Sequence, residues 1–224
     1  MIPPGAALRV VGDVHGDARA FAHAAATERF VVQLGDLTDG AGDSAAALRI
    51  ALDMLERGSG LFLLGNHDHK LARLLSGRAV KADAGLQATS AQLEPGLARR
   101  ALVAIMAAPA WLRRGDDFFV HAGFHTAMLH HPPPPFGQRV EGPLARALFG
   151  QTTGRRQPDG FPERVLDWVD RIPAGLTVYC GHDNRSTDGR PWIAPGAAGG
   201  RAVFLDTGAG KGGHLSWIDL PAKA

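Results

Sequence analysis

The sequence contains one cysteine, Cys180, so it cannot build a framework of disulfides within the chain. This favours a reducing compartment over an extracellular one. The N-terminal stretch lacks the charged and apolar segments of a signal peptide. No uninterrupted apolar run approaches the ~18 residues that a membrane helix needs. We therefore expect a cytoplasmic protein that has no membrane partner.

An excess of either charge is also absent. The 24 basic and 22 acidic residues leave a formal net charge of +2, which is too even to indicate a nucleic-acid or membrane surface by itself. The 45% hydrophobic and 21% charged residues are typical of a globular protein. No fixed-period repeat or obligate protein partner is evident. The length predicts a single domain over residues 1–224, with a loop or insert at about 124–162 that contains four consecutive prolines.

Short apolar segments that end near glycine recur along the chain and predict buried strands. Longer segments with helical spacing alternate with them in the first half, whereas strands dominate the second half. This order predicts an α/β fold with a parallel or mixed sheet and helices packed outside it. The predicted strands lie at 8–11, 30–34, 61–64, 117–120, 177–180, 202–205 and 214–220. The predicted helices begin after Asp17, run from a cap at Asp43 or Ser44 to Gly58, contain Leu71, Leu74 and Leu75 after the third strand, and cover 86–108 and 162–172.

Polar side chains follow at least five of these strands. Carboxylate, imidazole and amide groups together suit a borderline divalent transition metal better than Ca or Mg. These groups are too many to be ligands of one ion and are enough for two. In a two-metal hydrolytic site, one carboxylate can bridge both ions. We expect two divalent ions, with Mn as the first choice and Fe, Zn, Co or Ni as alternatives. The nine groups are Asp13, His15, Asp36, Asp39, Asn66, His67, His121, His182 and Asp206.

Taken singly, these residues have simpler explanations. Asp13 or Asp36 alone is as well explained by a helix cap or a turn. His121 alone is better explained as a hydrogen-bonded core histidine. Their joint placement favours a site, because each group follows an apolar strand and the carboxyl ends of parallel strands meet at one edge of a sheet.

The motifs DVHG, GDLTDG, GNHD, HAG and GH occur in this order. This series resembles that of the phosphoprotein-phosphatase branch of the calcineurin-like metallophosphoesterases, over nearly the whole chain from Val10 to Ile218. The resemblance implies a sandwich of two mixed β-sheets flanked by helices and a metal-dependent phosphatase. It implies Asp13, His15 and Asp36 as ligands of the first ion, and Asp36, Asn66, His121 and His182 as ligands of the second.

The same resemblance implies the catalytic roles. His67 would be the general acid that protonates the leaving oxygen, and Asp39 would orient it, since a histidine has a pKa suited to giving a proton near neutral pH. Asn66 and His67 would both contact the substrate. Asp206 would lie beside His15 or a neighbouring ligand. Phosphomonoesters would be hydrolysed by direct in-line attack of metal-activated water.

Several longer motifs narrow the resemblance. GNHDHKL, GLQATSAQL, FGQTTG and LDTGAGKGGHL are similar to the phosphatase module of bacterial polynucleotide kinase-phosphatases. This implies terminal phosphates of polynucleotides as the substrate. The alternatives are a phosphoprotein, for a Ser/Thr protein phosphatase, and a nucleotide, for a symmetrical dinucleoside-tetraphosphate hydrolase. A catalytically weak module that binds metal or nucleotide is the alternative from another class. The sequence has no Walker A motif and hence no kinase module.

Two positions depart from the family pattern. The family motif GDxxDRG ends with an arginine that clamps the substrate phosphate, and Gly40 takes its place here. We hypothesise that Arg155, Arg156 or Arg185 replaces that arginine. The second departure is GHDN at 181–184, where the family usually has GHT. It keeps the ligand His182 but changes the turn after it.

Overall fold

The computed structural model describes residues 1–40, 42–158, 160, 162–186 and 188–223 of the chain. Its strands are β1 Leu8–Val11, β2 Phe30–Gln33, β3 Gly60–Phe62, β4 Trp111–Arg114, β5 Asp117–Val120, β6 Thr152–Arg156, β7 Pro162–Arg164, β8 Thr177–Cys180, β9 Trp192–Pro195, β10 Arg201–Phe204 and β11 Trp217–Leu220.

The α-helices are α1 Ala18–Ala25, α2 Ser44–Arg57, α3 Asn66–Leu75, α4 Ala84–Gln92, α5 Pro95–Ala107 and α6 Gly142–Phe149, and two 3₁₀ helices span Thr126–Leu129 and Val169–Arg171. Their ends follow from local chemistry. Asp17 caps α1 and Asp43 caps α2 by accepting a hydrogen bond from a backbone N–H of the first turn. Gly58 ends α2 in a left-handed conformation. In the described part of the chain, no helix is long and apolar enough to cross a membrane.

Two mixed sheets form the centre of the molecule. The first has the order β11-β1-β2-β3, and β11 is its antiparallel edge strand. The second has the order β4-β5-β8-β10-β9, in which β5, β8 and β10 are parallel and the two edge strands are antiparallel. The predicted fold of two mixed β-sheets flanked by helices is confirmed.

The sheets pack face to face through alternate residues of their inner strands. This inner layer is built by Leu8, Val10, Val32, Leu34, Leu61 and Leu63 from the first sheet and its flanks, and by Phe119, Tyr179, Val203 and Leu205 from the second. The opposite faces are covered by helices and by the 3₁₀ turn at 169–171. The carboxyl ends of six strands that run parallel within the two sheets therefore face one another.

Two predictions for the second half of the chain are wrong. The segment 162–172 is not a helix. Its first residues form β7, which pairs with β6, and the apolar Trp168, Val169 and Ile172 pack against the second sheet from a short 3₁₀ turn. The segment 124–162 is not one irregular loop, because it contains a 3₁₀ helix, α6 and β6. The single-domain boundary at 1–224 stays a prediction.

The two sheets approach closely where β1 ends. A Cβ atom built on Gly12 would clash with the carbonyl oxygen of Leu205 and would lie 2.7 Å from its carbonyl carbon. We therefore expect Gly12→Ala to lower the free energy of unfolding by about 3 kcal/mol, at the upper end of overpacking effects. Urea unfolding followed by circular dichroism measures this change.

Gly96 provides the matched control, because it lies in α5 and its nearest neighbour to a built Cβ is 3.7 Å away. Gly96→Ala is expected to raise the free energy of unfolding by about 0.5–1 kcal/mol, since alanine is a better helix former. Equal midpoints for the two variants would contradict the close approach of the sheets.

Candidate active site

The strand ends of both sheets deliver the polar groups to one place. Each of these side chains lies in the loop or first helical turn that follows its strand, where the backbone no longer pairs with a neighbouring strand. The first sheet supplies Asp13, His15, Asp36, Asp39, Asn66 and His67, and the second supplies His121, His182 and Asp206. Of these, only His67, Asn66 and His182 are not buried.

The first group of donor atoms centres on His15. Its Nδ1 donates to the carbonyl oxygen of Thr38 at 3.0 Å, because a carbonyl oxygen can only accept. In the neutral ring, Nε2 is then an acceptor. It lies 3.7 Å from Oδ2 of Asp13 and 3.8 Å from Oδ2 of Asp36. This group offers one nitrogen and two carboxylates, which is a suitable donor set for a divalent transition metal.

The second group centres on His121. Its Nδ1 donates to the carbonyl oxygen of Leu34 at 2.9 Å, which leaves Nε2 facing the site. That nitrogen lies 3.0 Å from Oδ1 of Asn66, 3.2 Å from Nδ1 of His182 and 3.4 Å from Oδ2 of Asp36. The other ring nitrogen of His182, Nε2, is buried and has no hydrogen-bond partner among the described residues. Four acceptor atoms that converge in this way match a cation.

Asp36 belongs to both groups. Its Oδ2 faces His15 and His121, and its Oδ1 accepts a hydrogen bond from the backbone N–H of His67 at 2.9 Å. Ligand atoms of the set His15, Asp36 and His67, and of the set Asp36, His121 and His182, lie within 4.8 Å of one another. Asp36 is the one residue that the two sets share.

The electrostatics of the cluster also match a cation. Burial raises the pKa of Asp13 well above its ordinary value, and the neighbouring Asp206 raises it further. Burial acts to lower the pKa of His121, but Asp36 outweighs it and raises that pKa to about 9. The negative charge of Asp36 and Asp13 thus favours a positive charge at this position. The residues present fit the two ions implied by the sequence.

The backbone is strained at the same residues. Among the described residues other than glycine, a positive φ occurs at His15 (45°), Asp36 (58°), Asp39 (67°) and His182 (62°). Such angles are costly for side chains with a Cβ, and they persist where the surroundings force them. All four residues belong to the predicted site, so the strain is concentrated where the side chains must converge.

A histidine–carboxylate pair lies at the mouth of the cluster. Nδ1 of His67 is 2.9 Å from Oδ2 of Asp39, and Nε2 points inward, 4.0 Å from Oδ2 of Asp36. Burial acts to lower the pKa of His67, but Asp36 and Asp39 raise it above its ordinary value. Asp39 is itself held by hydrogen bonds from Lys70 and Thr89, both at 2.9 Å.

Two buried polar side chains outside the predicted set of nine support the site. The Asp68 carboxylate accepts the backbone N–H groups of Asp36 at 2.7 Å and Leu37 at 3.1 Å, and burial raises its pKa to about 7. The Gln33 amide bonds the backbone of Gly12 and Gly35. Their signals in the sequence were the last letter of GNHD and a glutamine inside an apolar strand.

A cavity of about 680 Å³ opens over the cluster, and its lining includes Asn66, His67, Phe149, Arg164, Arg185 and Lys211. Arg185 is therefore near the site, where it pairs with Asp183 at 2.7 Å. Arg155 and Arg156 are not part of the described lining. They lie on the exposed strand β6, where Arg155 pairs with Glu163 and Arg156 donates to the carbonyl oxygen of Gly160.

Comparison with solved structures gives the same fold. A candidate diadenosine tetraphosphatase aligns with a TM-score of 0.63 at 20% identity, over 100% of this chain and 96% of that chain. A serine/threonine phosphatase from Saccharomyces cerevisiae aligns with a TM-score of 0.62 at 13% identity, over 99% of this chain and 81% of that chain.

Curated relatives are similar in sequence. The chain is 30% identical over 203 residues to an asymmetrical bis(5'-nucleosyl)-tetraphosphatase PrpE of Halalkalibacterium halodurans, which covers 86% of this chain and 76% of that protein. The Bacillus subtilis protein of the same name is 29% identical over 202 residues, with the same two coverages. These names do not support the narrower likeness to polynucleotide kinase-phosphatases.

A family model described as calcineurin-like phosphoesterase matches residues 8–186, which is most of the chain and contains every residue of the donor cluster except Asp206. Together with the relatives and the site geometry, this match decides the family. The chain belongs to the calcineurin-like phosphoesterases and is a metal-dependent hydrolase of phosphoric ester bonds.

Proposed function

We propose that the chain hydrolyses nucleotide phosphates with two divalent ions, Mn as first choice, and that a dinucleoside tetraphosphate is its leading substrate. The observation that carries the proposal is the position of Asp36, whose Oδ2 lies 3.8 Å from Nε2 of His15 in one donor group and 3.4 Å from Nε2 of His121 in the other. The names of the sequence relatives support the nucleotide substrate. The cavity supports it as well, because it offers an exposed aromatic face at Phe149 and the guanidinium groups of Arg164 and Arg185.

In this proposal Asp13, His15 and Asp36 hold one ion, and Asp36, Asn66, His121 and His182 hold the other. When bound, the ions act as Lewis acids that acidify water and neutralise phosphate charge. The Thr38 and Leu34 carbonyls fix the rings of His15 and His121 so that Nε2 faces the ions. Asp206 adds negative charge beside Asp13.

His67 serves as general acid rather than as a ligand. Its Nδ1 donates to Asp39, so the proton available to a leaving oxygen is on Nε2, which faces the cavity. Asp36 and Asp39 raise the pKa of the ring above its ordinary value, which favours the protonated form that a general acid needs. Asn66, one residue before it, lines the same cavity and is placed to contact the phosphate.

A second candidate substrate is a terminal phosphate of a polynucleotide. The motifs GLQATSAQL and FGQTTG, which resemble the polynucleotide kinase-phosphatase module, support this candidate, whereas the names of the curated relatives support the dinucleotide. The same metals and the same acid would serve, because both reactions displace an oxygen from phosphorus. The roles of Arg155, Arg156 and Arg185 in holding either substrate remain predictions.

A panel of substrates tests the proposal. Purified protein with Mn is given diadenosine tetraphosphate, a 3'-phosphorylated oligonucleotide and a phosphothreonine peptide. We expect the dinucleotide to be cleaved best, and chromatography to show AMP with ATP for asymmetrical cleavage or two ADP for symmetrical cleavage. His67→Ala should lower kcat about 10²–10⁴-fold, the range of general acid catalysis.

The control variant is His130→Ala, since His130 is exposed and lies outside the cavity lining. It should keep the activity of the wild type. A clear preference for the oligonucleotide would select the second candidate. Failure of the wild type to hydrolyse any member would sink the proposal and leave a binding module as the explanation.

The pH profile of kcat tests the pairing of His67 with Asp39. His67 acts protonated, so activity is lost as the pH rises through its raised pKa. Asp39→Asn removes a carboxylate that raises this pKa, and the alkaline limb should move to lower pH. Lys70→Met should move it to higher pH, because the Lys70 charge lowers the same pKa. Unmoved limbs in both variants would contradict the assignment.

A further inference from the structure

The active site lacks the arginine that the family motif places at position 40, and the structure shows why no side chain fits there. A Cβ atom built on Gly40 would clash with the carbonyl oxygen of His15 and would lie 2.6 Å from its carbonyl carbon. A Cβ on Gly210 would clash with the same carbonyl oxygen and would lie 2.9 Å from its carbonyl carbon. The His15 backbone is packed between two glycines, and the turn that contains Gly210 closes over this side of the site.

The closing turn carries a lysine. Nζ of Lys211 lies 2.8 Å from Nε2 of His15, and the side chain lines the cavity together with Asn66 and His67. The turn itself is held by backbone hydrogen bonds from Lys211 and Gly213 to the carbonyl oxygen of Gly208, at 3.0 and 2.8 Å. The N–H of Gly208 in turn donates to the Asp206 carboxylate at 2.9 Å.

Lys211 differs from the other cations of the cavity in having no carboxylate partner. Arg164 and Arg185 both lie within 4 Å of Asp183. Among the residues that the structure describes, no carboxylate oxygen lies within 4.0 Å of the Lys211 ammonium group, and its one polar contact is His15. A charge that no acidic group neutralises, at the edge of a phosphate-hydrolysing site, is available to an anion.

We propose that Lys211 is the phosphate-binding cation of this active site, in place of the arginine lost at Gly40. The proposal rests on the proposed function of the same cavity. The lone pair of His15 Nε2 can accept a hydrogen bond from Lys211 or bind a metal ion, but not both. Metal binding would therefore free the ammonium group. The turn at 208–213 keeps that group beside the cavity, where it contacts a phosphate oxygen of the substrate and stabilises the charge that develops on it.

The test compares Lys211→Met and Lys211→Arg with the wild type and with Lys81→Met, an exposed lysine outside the cavity lining. Calorimetry of the Mn-loaded proteins measures the affinity for inorganic phosphate, and a separate titration measures the affinity for Mn. Steady-state kinetics on the preferred substrate of the panel give kcat and KM.

We expect Lys211→Met to bind inorganic phosphate at least about 10-fold more weakly, because it loses a hydrogen bond between charged groups. The value of kcat/KM should fall about 10²-fold, the scale of removing one donor to a developing oxyanion. The affinity for Mn should stay the same or rise, because a competitor for His15 is removed. Lys211→Arg should keep most of the phosphate affinity, and Lys81→Met should match the wild type.

Two results would overturn the assignment of Lys211. One is unchanged phosphate affinity in Lys211→Met. The other is a loss of Mn affinity that accounts for all loss of activity, which would make the lysine a support of the metal site. Failure of the proposed function is distinguishable from these two results, because the wild type would then show no turnover. In that case the calorimetric comparison of phosphate binding still decides the role of Lys211.

Discussion

The structure of the site depends on one buried carboxylate, that of Asp36. It lies between His15 of the first donor group and His121 of the second, which come from different sheets. Burial acts to raise its pKa, but the surrounding histidines hold it well below its ordinary value, so it stays ionised. An ionised carboxylate in a dry interior is costly unless it is paired with positive charge. The two metal ions that we propose would satisfy this requirement, and the donor atoms around Asp36 fit them.

The fold places the residues that surround Asp36. The two sheets pack face to face, so the carboxyl ends of their parallel strands supply opposite halves of the site. The Asp68 carboxylate, in the first turn of α3, accepts hydrogen bonds from the loop that contains Asp36. These bonds fix the positions of Asn66 and His67 relative to Asp36. The positive φ angles at His15 and Asp36 are the cost of turning side chains toward a common point. Function and strain therefore share the same residues.

Much of this was predictable from the sequence, because strand ends are marked locally by glycine and by a change from apolar to polar residues. The fold and the set of converging side chains follow from that pattern. Contacts between distant segments do not, and the approach of Lys211 to His15 joins residues 196 apart. Local spacing also gave a wrong prediction at 162–172. Trp168 and Ile172 have the spacing of a helical face, but they pack against the second sheet from a 3₁₀ turn. Local spacing carries no information about that long-range contact.

The bridging role of Asp36 is tested most directly by counting metal ions. Calorimetric titration of metal-free protein with Mn should give two ions per chain for the wild type. Asp36→Asn should weaken both sites, because one carboxylate serves both, whereas His182→Ala should weaken one. Far-UV circular dichroism establishes that the variants are folded. A wild type that binds a single ion, or an Asp36→Asn variant that still binds two ions with unchanged affinity, would contradict the account.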